Sequence, residues 1–209
     1  MVTNRKDDKM NEEIKLTLRK SILAGAAIAL GCSAFCACDN KYIGAFLFSI
    51  GLCTICGKKW LLFTGALCRC EKTVKELALI FVGNLLGSAL VFFLCLPLPL
   101  MQTAADIGSA KTAKGLSEIF VSAVLCEICI YIAVTAYKER MTALGKYIGI
   151  VLGVMVFILC GYEHCVADMF YALSCPTSKA GLAACLVIIT AAGNVAGAAL
   201  MNALDPKPQ

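Results

Sequence analysis

Long apolar runs separated by short charged clusters dominate this chain. Four of the runs, 21–38, 77–98, 119–137 and 181–204, approach or exceed the roughly 20 residues that a helix needs to cross about 30 Å of hydrocarbon. Two others are too short to span alone. The run 42–56 stops at Gly57-Lys58-Lys59, and 147–160 stops at Gly161-Tyr162-Glu163-His164. Each is followed by a second short apolar piece, 61–67 in one case and 165–173 in the other. This pattern predicts broken helices: a half-span, a loop inside the membrane, and another half-span. Residues 11–20 have the length of a short interfacial helix ahead of the first span.

The broken segments take second place in each group of three, and the third helices echo each other. One contains Gly83-Asn84-Leu85-Leu86-Gly87-Ser88-Ala89-Leu90, the other Gly193-Asn194-Val195-Ala196-Gly197-Ala198-Ala199-Leu200. The shared pattern Gly-Asn-x-x-Gly-x-Ala-Leu recurs 110 residues apart. Small residues at four-residue spacing let helices approach closely, and two copies in matching places indicate two related halves. Three spans per half force the halves into opposite orientations, the inverted repeat of transport proteins whose sites lie between broken helices. The expected fold is an all-α integral membrane protein with six transmembrane helices in two inverted three-helix repeats, the second and fifth helices broken. Residues 1–20 form a cytoplasmic N-terminal segment, 21–204 the channel domain (repeats 21–98 and 119–204), and 205–209 a cytoplasmic tail.

Composition agrees. The 209 residues are 60% hydrophobic and 16% charged, with mean hydropathy +0.82, against about 45–50% and about 25% in soluble domains. The net charge of +5 falls in clusters and offers no continuous basic face, which excludes a nucleic-acid partner. On the six-span topology fifteen basic residues face the inside: six before the first span, then Lys58, Lys59, Arg69, Lys72, Lys75, Lys138, Arg140, Lys146 and Lys207. Only Lys41, Lys111, Lys114 and Lys179 face out. This bias predicts a multi-pass protein of the cell (inner or plasma) membrane with both termini cytoplasmic. The 14 cysteines lie mostly within apolar stretches and read as small packing residues. The pairs Cys53/Cys56, Cys126/Cys129 and Cys68/Cys70 have metal-like spacing without the loops of a zinc site. No phosphate-cradling loop, nucleophile–base constellation or metalloprotease helix is present, so the chain reads as a non-enzyme with no cofactor, metal site or catalytic residue.

The stretch Gly161-Tyr162-Glu163-His164-Cys165-Val166-Ala167-Asp168-Met169-Phe170, the loop Leu62-Phe63-Thr64-Gly65 and the two Gly-Asn motifs together resemble the formate/nitrite transporter family, including its hydrosulfide-channel branch, along essentially the whole chain. The resemblance implies a homopentamer of aquaporin-like protomers, each with its own pore. It further implies that Phe48, Leu52, Leu62, Phe63 and Phe157 form apolar constrictions. Thr64 and His164 would face each other at the pore centre, and Lys111 would draw anions into the outer vestibule. Three departures stand out. Glu127 and Asp168 occupy positions where the family usually has Asn, and Leu61 replaces an acidic residue that often precedes the Leu-Phe-Thr loop.

His164 is the only histidine, in a membrane break where ionisable groups usually mark a pathway. An anion would cross the apolar constrictions only at great cost. Its conjugate acid would cross far more easily, and imidazole, titrating near about 6.5, could supply or polarise the proton. Glu127 reads either as a helix-packing hydrogen bond or as a partner of His164. Glu163 reads as an acceptor for backbone N–H groups at the break, and Asp168 as a helix-start residue. The expected function is a channel for small monovalent anions or their weak acids, of the formate, nitrite and hydrosulfide class, with the lipid bilayer and that solute as partners. Competing readings are an aquaporin-like pore for neutral solutes and a membrane thiol-redox or metal-binding protein.

Overall fold

The computed structural model describes residues 2–139 and 142–206, so Arg140 and Lys207 of the charge count, Met1, and the tail beyond Pro206 lie outside the described residues. Every regular element among the described residues is helical: α1 (Val2–Cys36), α2 (Lys41–Phe48), α3 (Ile50–Lys58), α4 (Phe63–Leu67), α5 (Val74–Cys95), α6 (Leu100–Lys111), α7 (Leu116–Lys138), α8 (Ala143–Leu159), α9 (Cys165–Ser174) and α10 (Ala180–Leu204). The six spans are α1, α2–α4, α5, α7, α8–α9 and α10.

Three features differ from the sequence reading. First, no separate interfacial helix precedes the first span. Helix α1 is continuous, because seven of residues 11–20 (Glu, Lys, Leu and Arg) are good helix formers and no Gly or Pro interrupts them, and its apolar part begins at Met10. Second, the leading pieces of the broken helices are long. With only a kink at Ser49, α2 and α3 give an 18-residue crossing, Lys41–Lys58, and α8 runs for 17 residues, about 25 Å at 1.5 Å per residue. Each broken span is thus a crossing, a chain reversal and a re-entrant half-helix. Third, α6 packs on α9 along the face opposite the chain termini, where Gly108 lies so close to Tyr171 that an added Cβ would sit 2.4 Å from its carbonyl oxygen. Its mixed composition gives no apolar run to announce it.

The reversals are built alike. Lys59 (φ 54°) and Gly161 (φ 68°) both take the left-handed conformation, and the following N–H groups, of Trp60 and Tyr162, donate to Ile55 O at 3.0 Å and Phe157 O at 2.9 Å. The positions 59 and 161, like 60 and 162 or 55 and 157, differ by 102. Beyond each reversal, the backbone reaches the Asn of the repeated motif. Asn84 Nδ2 donates to Ser21 O (2.8 Å) and Leu61 O (2.9 Å), while its Oδ1 accepts from Phe63 N (2.8 Å). Asn194 Nδ2 donates to Ala123 O (2.8 Å) and Glu163 O (3.2 Å), while its Oδ1 accepts from Cys165 N (3.0 Å). Ser21 and Ala123, Leu61 and Glu163, and Phe63 and Cys165 are each again 102 apart. Both asparagines are fully buried. Backbone leaving a helix at membrane depth must find partners within the protein, and one amide supplies them in each half.

The motif glycines bring the paired helices together. A Cβ at Gly87 would lie 1.9 Å from Ile22 O, and one at Gly197 would lie 2.6 Å from Val124 O. Thus α5 closes on α1 and α10 on α7. Helix α5 leads into α6 on the far face, whereas α10 ends beside Arg69 on the terminal face, where Asp205 pairs with that arginine at 3.0 Å. The two halves therefore run in opposite directions.

Replacing Asn84 or Asn194 by Ala leaves two break-point groups buried and unpaired, each costing about 1–3 kcal/mol. Either variant is expected to lower the thermal unfolding midpoint of the solubilised protein markedly, and an unchanged midpoint would refute the clamp. Lys59→Gly is expected to raise that midpoint and Gly161→Ala to lower it, each by about 1 kcal/mol in stability, because only the glycine holds a left-handed φ without cost.

Candidate functional site

Two cavities enter the protomer from opposite faces. The far-face cavity, about 240 Å³, is lined by Lys111, Lys114, Asp168 and Tyr171 and reaches Phe157 and His164. The terminal-face cavity, about 590 Å³, is lined by Trp60, Lys59, Lys138 and Lys146 at its mouth and reaches Leu52 and Leu62. The residues expected to constrict a pore lie between them. Phe48 meets Phe157 edge-on at 6.0 Å, and Phe157 lies parallel to the His164 ring at 5.7 Å, the planes only 18° apart. Phe48, Leu52, Leu62 and Phe157 are all at most 2% exposed. Phe63 stands apart from this group. Its ring packs edge-on against Phe81 of α5 at 5.1 Å, and like Phe48 it lines neither cavity.

His164 is held by both ring nitrogens. It is the N-cap of α9, and Nδ1 accepts the Ala167 N–H at 3.1 Å. An acceptor nitrogen carries no proton, so the ring proton sits on Nε2, 3.0 Å from Thr64 Oγ1, and is donated to it. Thr64 is wholly buried and His164 nearly so. The pair brought together by 100 residues of intervening chain joins the first turns of the two half-helices, α4 and α9. In the repeat register Leu62 occupies the place of His164. One half-helix therefore starts on an apolar side chain without a side-chain cap, and the other on an imidazole that caps it.

Lys111 lines the far-face cavity, and its charge is opposed. Its ammonium bonds Glu163 and lies 2.9 Å from Asp168, while Lys114 Nζ donates to Glu163 at 2.7 Å and to Gly161 O at 3.1 Å. Glu163 thus accepts from two lysines, and the orphaned backbone groups that the sequence reading assigned to it are satisfied by Asn194 instead. Asp168 is likewise an ion-pair member rather than a helix cap. It is fully buried, and neither of its oxygens has a hydrogen bond of good geometry among the described residues.

Glu127 is not the partner of His164, whose nitrogens are both engaged elsewhere. It is buried on α7, with Oε1 4.0 Å from Cys68 Sγ and Oε2 without a hydrogen-bond partner among the described residues. It sits 102 positions after Gly25 and, like it, packs against the motif helix of its own half, with its Cβ within 2.8 Å of where a Cβ on Gly197 would lie. All 14 cysteines are free thiols, and no group of three or more His, Cys, Asp or Glu suited to a metal ion occurs among the described residues. The clamp residues Asn84 and Asn194 escaped the sequence reading as site-builders, although their motif was visible in duplicate.

Comparison with known proteins agrees with this architecture. In solved structures, the chain superposes on a "Pentameric formate channel with formate bound" with a TM-score of 0.77 and 21% identity, covering 91% of this chain and 94% of that one. It superposes on an "FNT family ion channel" with a TM-score of 0.75 and 21% identity, covering 93% and 96%. A curated relative, the uncharacterized transporter YrhG of Bacillus subtilis (strain 168), is 28% identical over 149 residues, 63% of this chain; the match spans 56%, little more than half, of that relative's length. The family described as formate/nitrite transporter matches residues 1–205. With six spans in inverted halves, two re-entrant half-helices and that match, the chain is a multi-pass membrane protein that belongs to the formate/nitrite transporter family, a family of transporters and not of enzymes.

Proposed function

We propose that each protomer is a channel for a small monovalent anion and its conjugate weak acid, of the formate, nitrite and hydrosulfide class. The observation that carries this reading is the Thr64–His164 pair, closed in by Phe48, Phe157, Leu52 and Leu62 between two opposed cavities. A bare anion would lose its hydration against those apolar walls, whereas the neutral acid loses far less. The capped imidazole acts as a hydrogen-bond donor through Nε2–H. Protonating Nδ1 would set it against the Ala167 N–H, so His164 polarises the passing solute and does not serve as a ready acid. Thr64 offers a hydroxyl that both donates and accepts.

The working unit is a homopentamer in the cell membrane, a reading supported by the pentameric formate channel the chain superposes on. We read residues 1–20 and 205–209 as cytoplasmic and 21–204 as the channel domain, a reading supported by the excess of basic residues between and beside the spans on that side. The terminal-face cavity is then the inner vestibule and the far-face cavity the outer one.

The test is uptake of labelled formate into proteoliposomes between about pH 5 and 8, with nitrite and hydrosulfide as competitors. Saturable, competed uptake that rises as the pH falls is expected. His164→Asn keeps an N-cap acceptor while removing the imidazole, and is expected to reduce uptake on the order of 10- to 100-fold, as the loss of one hydrogen bond to a charged group, about 1.5–3 kcal/mol, would. Glu127→Asn is expected to leave uptake within about 2-fold, since that side chain touches neither cavity nor His164. Movement of water or a neutral solute with none of these anions would overturn the reading.

A further inference from the structure

The two vestibules carry different net charge. Lys111 and Lys114 of the far-face cavity are matched by two buried carboxylates, Glu163 behind the wall and Asp168 on it, in one bonded cluster, and the exposed Glu118 lies 3.9 Å from Lys114 at its edge. Asp168 completes the cancellation among the buried groups: it lines the cavity, is wholly buried, and has Oδ1 2.9 Å from the Lys111 ammonium, with neither oxygen in a hydrogen bond of good geometry among the described residues. In the terminal-face cavity Lys59, Lys72, Lys138 and Lys146 face Glu71 alone among the lining residues. Lys72 pairs with Glu76 at 2.8 Å and Lys138 with Glu71 at 4.0 Å, whereas no acidic partner lies within ion-pair distance of Lys59 or Lys146 among the described residues. One mouth has no excess of cations, and the other keeps two cations without an acidic partner among the described residues.

We infer that anions are gathered at the terminal-face vestibule, by Lys59 and Lys146, and that Asp168 is the residue that switches off anion capture at the far-face vestibule. A cavity with one sign of charge and low-dielectric walls raises the local concentration of the opposite ion by a factor of about 10 or more. A neutralised cavity does not. A solute arriving at the far face meets Asp168, whose Oδ1 is ion-paired with Lys111 and whose Oδ2 is left to accept from the O–H or S–H of a neutral acid. The pathway therefore loads the anion from one side and the protonated acid from the other. This inference rests on the reading of the cavities as two mouths of one pathway.

The chain supplies its own probe. Trp60, its only tryptophan, lines the terminal-face cavity. Quenching of its fluorescence by iodide, caesium and acrylamide, in the full chain solubilised in uncharged detergent, reads the local potential directly. The opposite mouth is read from Tyr162→Trp combined with Trp60→Phe, since Tyr162 lines the far-face cavity. At about 0.01 M ionic strength, where the Debye length is about 30 Å, the iodide-to-caesium ratio, each corrected for acrylamide access, is expected to be about 5- to 10-fold higher at position 60 than at 162. The two ratios are expected to converge near 1 M, where the Debye length is about 3 Å. Asp168→Asn is expected to raise the ratio at 162 several-fold and leave that at 60 unchanged, whereas Asp168→Glu is expected to change neither. Lys59→Gln with Lys146→Gln is expected to lower the ratio at 60. Equal ratios at the two mouths of the unmodified cluster, or no response to Asp168→Asn with acrylamide access unchanged, would overturn the inference. Quenching requires no transport, so absent formate uptake would refute the proposed solute while leaving this charge test to stand or fall by itself.

Discussion

A polypeptide that turns back on itself halfway through a membrane must satisfy its backbone without water, and here that condition is met by two side chains. Asn84 and Asn194 each bridge the end of a reversal, the start of a half-helix and a carbonyl of the neighbouring long helix. The alternative is a pair of unsatisfied peptide groups in hydrocarbon, which no amount of apolar packing offsets at that point. Everything that faces the pathway hangs from these amides. They set the depth at which α4 and α9 begin, and with it the meeting of Thr64 and His164 and the separation of the two cavities. The glycines of the same motif bring α5 and α10 near enough for a side chain as short as asparagine to reach its targets.

The spans, the duplication and the opposed halves could be read from the sequence because they are written in local statistics: run length, charge between runs, and an eight-residue pattern heard twice. What could not be read there involves partners distant along the chain. The carbonyl of Leu61 lies 23 residues from the amide of Asn84, and that of Glu163 lies 31 from Asn194. Nothing in either stretch alone says that the asparagine is a clamp and not one more small residue at a helix contact. The same blindness applied to charge. Lys111 looked like a free cation because its counter-charges come from another element, 52 and 57 residues on. Phe63, which the family resemblance puts at a constriction, sets its ring against Phe81 of α5, 18 residues on, a contact its own stretch does not announce. Helix α6 went unnoticed since a short helix lying along a face needs no long apolar run.

Function resides in the places where the two halves disagree. Their backbones superimpose in register through the reversals and the clamps, so matched positions isolate the differences: Leu62 against His164, Ile55 against Phe157, Lys59 against Gly161, Gly25 against Glu127. Two of these pairs put an aromatic ring and the imidazole in the second half where the first half has aliphatic side chains. A symmetric scaffold thereby holds an asymmetric pathway. The acidic residues follow the same division, since Asp168 and Glu163 gather on the half-helix that carries the histidine while the short α4 contains no charged residue.

The dual engagement of His164 ties the chemistry of the pathway to the rigidity of its frame. The nitrogen that closes the first turn of α9 and the nitrogen that faces Thr64 belong to one aromatic ring, so electron density drawn from one is drawn from the other. An anion that takes the Nε2–H in place of the Thr64 hydroxyl is the stronger acceptor, makes Nδ1 a better acceptor in turn and tightens the helix start. A departing solute relaxes it. Occupancy and local backbone order are thus reciprocal quantities, and the half-helix itself is a reporter of whether the pore is filled.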